Sequence, residues 1–208
     1  MHAGYSVGCF TSPHLHRYTE RIQWNQTPID DASFSALFTH CQPYLEQGLT
    51  EFETLFLMAC LYFSKRQPDV CLMEVGLGGR LDATNCLQPN CSVITQIDRD
   101  HTAILGHCLT DIAAEKAGII KPHVPVFTLV NQHTDVLAVI QSTAESQQAP
   151  LHVIRPNHSP YHLGLPGDYQ QHNAHLAVSA IRHCFSDISD HSIRQGLRHT
   201  SHWGRLTC

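Results

Sequence analysis

The stretch at residues 69–85, DVCLMEVGLGGRLDATN, constrains the fold of this chain more than any other part of the sequence. Its apolar run, interrupted only by Glu74 near the end, predicts a buried strand that delivers one carboxylate to its C-terminal tip. The glycines that follow, Gly76, Gly78 and Gly79, allow a tight turn and a close approach of the backbone to a ligand. Because ligands bind at the carboxyl ends of strands in open α/β sheets, we expect functional chemistry here.

Strand and helix patterns alternate along the chain, which predicts an α/β fold with a mostly parallel sheet flanked by helices. Strands are predicted at residues 5–10, 20–24, 70–75, 91–97, 124–129 and 151–154. Helices are predicted at residues 32–45, 52–65, 134–146, 171–185 and 188–198. One further helix is expected to be capped by Thr110 or Asp111 and to end near Gly118. The helix at 52–65 is apolar nearly all round, so we expect it to pack against the sheet.

Composition excludes several classes of protein. The net charge of -5 and the lack of a Lys/Arg cluster with interleaved aromatics argue against a nucleic-acid partner. The N-terminal sequence MHAGYSVG has no signal-peptide pattern, and no apolar run approaches the ~20 residues of a membrane span. These features predict a soluble cytoplasmic protein with no membrane partner.

The nine cysteines do not form a recognisable metal or disulfide pattern. Their number is odd, no CxxC pair occurs, and Cys86 and Cys91 flank a loop that lacks further ligands at zinc spacing. We therefore expect reduced thiols. Histidines such as His199 and His202 are interpreted as surface residues.

Polar residues also follow two other predicted strands. Pro13 keeps Ser12 extended, which places the hydroxyl of Ser12 in a loop at a strand end, although an isolated TSP sequence is also typical of a simple turn. His101 ends the strand after the glycine loop, in a position equivalent to Glu74. If these two strands are parallel neighbours, Glu74 and His101 can reach one metal ion.

Taken together, separated motifs make the sequence resemble the bifunctional dihydrofolate synthase and folylpolyglutamate synthase family of the Mur ligase superfamily. They occur in family order and span almost the whole chain. The motifs are Gly4-Tyr5, FTSPHL at 10–15, ERI at 20–22, EVGLGGRLDATN at 74–85, Asp100-His101, EKAGI at 115–119, the GxxQxxNA pattern at Gly167, Gln170, Asn173 and Ala174, and Gly204-Arg205.

The resemblance implies an α/β domain of the P-loop NTPase type and an ATP-dependent ligase. Such enzymes activate a dihydropteroate or folate carboxylate as an acyl phosphate and then add L-glutamate. Phosphoryl transfer of this kind needs a cation held by hard oxygen ligands, so the implied cofactors are Mg²⁺ and ATP. By resemblance, Ser12, Glu74 and His101 are the metal ligands. The full-length enzyme is expected to be a monomer that acts on small molecules.

The resemblance also assigns the remaining site residues. Lys116 matches a lysine that takes up carbon dioxide to form a carbamate, a reaction that needs the neutral amine; Glu115 and Lys116 are otherwise typical of a helical surface pair. Asn173 and Gln170 are implied to contact adenine, and Asn173 is alternatively a helix cap. Arg205 is implied to contact the ATP phosphates. The substrate-side loop is implied to be shaped by Arg80, Asp82 and Asn85, whose individual roles stay open.

Two departures from the family pattern shape the expected domain organisation. No GxxxxGK[ST] phosphate loop occurs in the 208 residues, and Trp203 stands where the family has proline. We therefore expect residues 1–208 to be the central ATPase-type domain without its N-terminal P-loop strand and helix and without the C-terminal glutamate-ligase domain. Because a P-loop stabilises much of the transferred charge, the isolated chain is expected to be impaired or inactive.

Three rival interpretations remain open at this point. The first is a Mur ligase acting on peptidoglycan precursors, which the FTSPHL and ERI motifs disfavour. The second is a non-catalytic remnant that binds a metal or a nucleotide. The third, a dinucleotide-binding oxidoreductase, is weak because the glycines do not form GxGxxG.

Overall fold

The computed structural model describes residues 1–99, 102–156 and 161–201, and the chain divides into two compact units. Beyond its first two residues, the first unit comprises residues 3–77 and 82–86, and the second comprises residues 78–81 and the chain from residue 87 onwards. Within the described ranges, no helix is both long and apolar enough to cross a membrane.

The first unit is a four-stranded sheet with two helices. Its elements in chain order are β1 (Val7–Phe10), β2 (Ile22–Trp24), β3 (Thr27–Pro28), α1 (Asp31–Glu46), α2 (Glu51–Arg66) and β4 (Val70–Met73). The strand order is β3-β2-β1-β4, with β1 and β4 parallel and the pairs β1–β2 and β2–β3 antiparallel. Short 3-10 helices at Tyr18–Arg21 and Ala83–Cys86 complete the unit.

Helix α2 supplies much of the core of the first unit, as its nearly uniform apolar pattern predicts. Seven of its sixteen residues are buried, among them Met58 and Phe63. The ring of Phe63 lies so close to the backbone of Gly8 in β1 that a Cβ built on Gly8 would be 2.8 Å from it. A side chain at residue 8 would separate the helix from the sheet.

Strand β4 is present as predicted, but the expectation that it is buried is wrong. Cys71 and Leu72 are exposed, with 60% of the surface of Leu72 accessible. The reason is its position at the edge of the four-stranded sheet, where β1 is its hydrogen-bonded neighbour. An apolar run indicates a strand, but it does not show how many neighbours that strand has.

The second unit is built on a three-stranded parallel sheet of order β5-β6-β7. Its elements are β5 (Ser92–Ile94), α3 (Thr102–Leu105), α4 (Leu109–Ala117), β6 (Val126–Leu129), α5 (Thr134–Ser146), β7 (Leu151–Ile154), α6 (Tyr169–Cys184) and α7 (Asp190–His199). All four residues of β6 are buried. Helix α6 packs on the sheet through Leu176 and Ala180, which meet Phe127 and Leu129 of β6.

The predicted α/β class, with a mostly parallel sheet flanked by helices, is confirmed, and several boundaries move. Strand β5 is shorter than the predicted 91–97 because the side chain of Gln132 takes over its last backbone bonds, at the Thr95 carbonyl (2.8 Å) and the Ile97 N–H (2.9 Å). Neither Thr110 nor Asp111 caps α4, since the helix begins at Leu109 after the extended residue Cys108.

Candidate functional site

The parallel pairing of β1 and β4 brings Ser12 and Glu74 together. Phe10 is in register with Met73, so the residues that follow each strand leave the sheet at the same end. The N–H of Glu74 donates to the Phe10 carbonyl (2.9 Å), and the N–H of Ser12 donates to Oε2 of Glu74 (2.8 Å). Two of the three metal ligands implied by resemblance are therefore adjacent, although they are 62 residues apart in sequence.

The chemistry of this pair fits a hard cation. Glu74 offers a carboxylate and Ser12 a hydroxyl, which are oxygen donors of the kind that Mg²⁺ and Ca²⁺ accept. Burial, and to a lesser extent the Glu74 charge, raise the pKa of the nearby Cys9 thiol to about 11, which disfavours its thiolate form. Among the described residues, no group of three or more His, Cys, Asp or Glu side chains converges on one point.

The third predicted ligand, His101, lies outside the described residues. The sequence argument required β4 and β5 to be parallel neighbours in one sheet. They are not, because β4 pairs with β1 and β5 pairs with β6 in a separate sheet. A shared metal site for Glu74 and His101 therefore stays a prediction from the resemblance alone.

Glu20 organises the loop that carries Ser12, a role that the sequence did not reveal. Its carboxylate accepts the backbone N–H groups of Leu15, His16 and Arg17 at 2.8 to 3.0 Å. These bonds lower the pKa of Glu20 because they stabilise its charged form, and the bond from Leu15 has the largest effect. The ERI motif at 20–22 was the available signal, since a carboxylate after a Pro-containing loop suits three orphan N–H groups.

Asp82 shapes the first unit's part of the glycine loop. One carboxylate oxygen accepts the N–H groups of Gly76 and Leu77, each at 3.0 Å. The other accepts the N–H and the hydroxyl of Thr84, at 2.9 and 2.6 Å. Asn85 follows in the same turn and donates its N–H to the Asp82 carbonyl (2.9 Å). This network supports the predicted loop-shaping role of Asp82; contact of Asp82 or Asn85 with substrate stays a prediction.

In the second unit, Arg80 interlocks with α4. Its backbone N–H donates to the Glu115 carbonyl (2.8 Å), and its Nε and Nη2 both donate to Oε1 of Glu115 (3.0 and 2.8 Å). The GGR and EKAGI motifs, 35 residues apart, thus meet through Arg80 and Glu115. Arg80 is therefore tied to the residue that precedes Lys116, while its substrate contact stays a prediction.

The ion pair of Arg80 and Glu115 is expected to contribute measurable stability. In a double-mutant cycle of Arg80→Ala and Glu115→Ala, we expect a coupling energy of about 0.5–1 kcal/mol, because Glu115 is partly buried (25% of its side chain exposed) and the guanidinium is held at two nitrogens. The measurement is urea unfolding of the four proteins.

The matched control for this cycle is the pair of Arg182 and Asp190, in which both side chains are more than half exposed. Its coupling energy should be smaller, because solvent screens exposed charges more strongly. Equal coupling in both pairs would contradict the expected effect of the partial burial of Glu115.

Lys116 lies half-buried in the last turn of α4, directly after Glu115. Gly79 packs against this turn so closely that a built Cβ would be 2.9 Å from the Glu115 carbonyl oxygen and 3.1 Å from that of Lys116. The position of Lys116 is therefore set by the glycine loop. Its carbamylation stays a prediction.

The two predicted adenine-contacting residues lie next to each other at the start of α6. Asn173 Nδ2 donates to Oε1 of Gln170 at 3.1 Å, and Gln170 itself is buried. The neighbouring Gln171 holds the backbone of Tyr161 with two bonds, accepting its N–H (2.9 Å) and donating to its carbonyl (2.8 Å). Arg205, the predicted phosphate contact, lies outside the described residues.

Comparison with known proteins identifies relatives that match almost the whole chain. The Mur ligase middle domain profile matches residues 29–154. The chain is similar to the dihydrofolate synthase/folylpolyglutamate synthase of Bacillus subtilis, with 35% identity over 98% of this chain and 55% of that protein. It thus spans about half the length of the curated relatives it matches.

The chain is also similar to solved structures of folylpolyglutamate synthase and FolC. An FPGS–AMPPCP–folate complex matches with a TM-score of 0.88 and 33% identity, covering 97% of this chain and 57% of that one. E. coli FolC in complex with DHPP and ADP matches with a TM-score of 0.87 and 32% identity, covering 99% of this chain and 53% of that one. These relatives were solved with adenine nucleotides and with folate or DHPP.

Proposed function

Since this chain belongs to the Mur ligase family, we propose that it is the central ATPase-type part of a ligase that joins L-glutamate to dihydropteroate or to a folate. The observation that carries the proposal is the bond from the Ser12 N–H to the Glu74 carboxylate at the carboxyl end of two parallel strands. It occurs in a chain that is 33% identical to an enzyme solved with AMPPCP and folate.

In the proposed reaction, the substrate carboxylate attacks the γ-phosphorus of ATP, ADP leaves, and the amine of glutamate then displaces phosphate from the acyl phosphate. Ser12 and Glu74, with His101 as the further implied ligand, would hold Mg²⁺. When bound, Mg²⁺ neutralises charge on the phosphate oxygens. The bond from the Ser12 N–H fixes one carboxylate oxygen of Glu74 and orients the other.

The second unit contributes nucleotide contacts and a further anionic group. The side-chain amides of Gln170 and Asn173 offer donors and acceptors for an adenine ring, and their mutual bond orients both. Lys116 supplies anionic oxygens as a carbamate, formed when its neutral amine attacks carbon dioxide and loses a proton. Arg205 contacts the phosphates.

The function is tested in a chimaera in which this chain replaces the matching stretch of the Bacillus subtilis relative. We expect ATP-dependent addition of labelled glutamate to dihydropteroate, to tetrahydrofolate or to both. Because a phosphate loop is not among the 208 residues, the unfused chain should be slower by several powers of ten.

The chimaera is assayed with three acceptors: dihydropteroate, tetrahydrofolate and a peptidoglycan precursor. Ligation to the peptidoglycan precursor alone would overturn the proposal in favour of the rival ligase. A well-folded chimaera that binds nucleotide but ligates nothing would support the non-catalytic interpretation. Relative rates with the two pterin substrates assign the preferred acceptor.

A further inference from the structure

Two cysteines of the second unit meet although they are 93 residues apart in sequence. Cys91 directly precedes β5, and Cys184 is the last residue of α6. The Cys184 thiol donates a hydrogen bond to the Cys91 sulfur, with the two Sγ atoms 3.5 Å apart. Neither residue belongs to the ligand or substrate sets discussed above.

Both cysteines are held by rigid surroundings. Cys91 packs against the buried cluster of Phe127, Leu129, Leu176 and Ala180. The residue after it, Ser92, is fixed by a bond from its N–H to the Pro125 carbonyl (2.9 Å) and by one from its hydroxyl to the Ile119 carbonyl (3.1 Å). On the other side, the N–H of Phe185 closes the end of α6 on the Ile181 carbonyl (2.8 Å). The approach of the two sulfurs is therefore a feature of the fold.

We propose that Cys91 and Cys184 form a reversible disulfide when the protein meets a peroxide or a disulfide oxidant. A disulfide needs the sulfurs at about 2.05 Å, so each must move by less than 1 Å from its present position. With hydrogen peroxide, the Cys184 thiol becomes a sulfenic acid and releases water. The Cys91 sulfur then attacks the sulfenic sulfur, and hydroxide leaves with the Cys91 proton as a second water.

The environment decides the order of these two steps. Burial and the neighbouring Cys184 raise the pKa of the Cys91 thiol to about 12, so Cys91 is a poor first nucleophile. Both cysteines are half-buried, so we assign the first step to Cys184 because Cys91 is the poorer nucleophile. The geometry favours oxidation over metal binding, because among the described residues no third ligand joins the pair.

The cross-link would tie the end of α6 to the start of β5 and close a long loop. Loop closure of this length restricts the unfolded chain, so we expect the oxidised protein to melt about 5–10 °C higher than the reduced protein. The proposal stands on the second unit alone and does not depend on the ligase function.

The test treats the purified chain with hydrogen peroxide or diamide, blocks free thiols with N-ethylmaleimide and maps peptides by mass spectrometry. Chymotrypsin is added to trypsin because it cuts after Leu87, between Cys86 and Cys91. We expect a Cys91–Cys184 peptide that dithiothreitol removes, together with the rise in Tm. Both should be lost in Cys184→Ser and kept in Cys71→Ser, which removes an exposed cysteine of β4.

Failure to find the linked peptide in folded protein, under conditions that oxidise Cys71, would overturn the proposal. So would a rise in Tm that persists in Cys184→Ser, because the stabilisation would then come from elsewhere. To separate the disulfide from a packing defect, the reduced forms of Cys184→Ser and of the unmodified chain are compared. Their melting temperatures should differ by less than the oxidation shift.

Discussion

Glu74→Gln in the chimaera is expected to lower the rate of ATP-dependent glutamate ligation about 10²–10³-fold. Glutamine keeps the shape of the side chain, and its carbonyl oxygen can still accept the Ser12 N–H that now binds Oε2 at 2.8 Å. What is lost is the negative charge that attracts the proposed Mg²⁺. We therefore also expect the Mg²⁺ concentration for half-maximal rate to rise about tenfold, because the metal loses a charged ligand.

The control for Glu74→Gln is Asp69→Asn, at the opposite end of the same two strands. Asp69 accepts the N–H and the hydroxyl of Ser6, at 2.8 and 2.7 Å, and these bonds lower its pKa. The substitution Asp69→Asn removes a carboxylate that, like Glu74, accepts a backbone N–H beside the end of a strand, but it leaves Ser12 untouched. Ligation and Mg²⁺ dependence should stay unchanged in Asp69→Asn. Loss of activity in both variants, or in neither, would contradict a metal role for Glu74.

Gly118→Ala is expected to lower the free energy of unfolding by about 2–4 kcal/mol and Tm by about 5–15 °C. Gly118 ends α4 against the glycine loop, and a Cβ built on it would be 2.4 Å from Cβ and 2.7 Å from Cα of Arg80. Backbone atoms cannot rotate away, so either α4 or the loop must shift. The measurement is thermal and urea unfolding of the 208-residue chain.

A glycine in α7 provides the control for Gly118→Ala. A Cβ on Gly196 would meet only the tip of the His2 ring at 3.8 Å, so alanine should fit without strain. Gly196→Ala is expected to raise stability by up to about 1 kcal/mol, because alanine loses less backbone entropy in a helix than glycine does. Gly79→Ala, which would bring a Cβ within 2.9 Å of the Glu115 carbonyl oxygen, should destabilise like Gly118→Ala. If Gly118→Ala is as stable as the unmodified chain, Gly118 of the EKAGI motif does not pack closely on Arg80 of the GGR motif.

Local patterns were enough to predict most helices and strands. The range of α5 was predicted to the residue, and that of β7 as well, because periodicity and turn residues act over a few neighbours. The predicted position of Glu74 at a strand tip is confirmed for the same reason. Burial was less predictable, as Leu72 shows, because it depends on how many strands and helices surround an element.

The candidate site shows the same division between local and tertiary information. The residue types for chemistry were readable from sequence: an acid after a strand, a glycine loop and a lysine in an alanine-containing helix. Their partners were not. Glu115 binds Arg80, a partner 35 residues away that its own sequence neighbourhood does not identify, because the bond depends on where the glycine loop packs on α4.

Sequence alone therefore determined the α/β class, the order of the elements and the family resemblance, since these follow from short-range patterns and from motifs in order. Tertiary structure alone decided that Ser12 meets Glu74, that Arg80 holds Glu115 and that Cys91 meets Cys184. The members of these pairs are 62, 35 and 93 residues apart. Strand register and helix packing set the distances between them, and both depend on many side chains acting together.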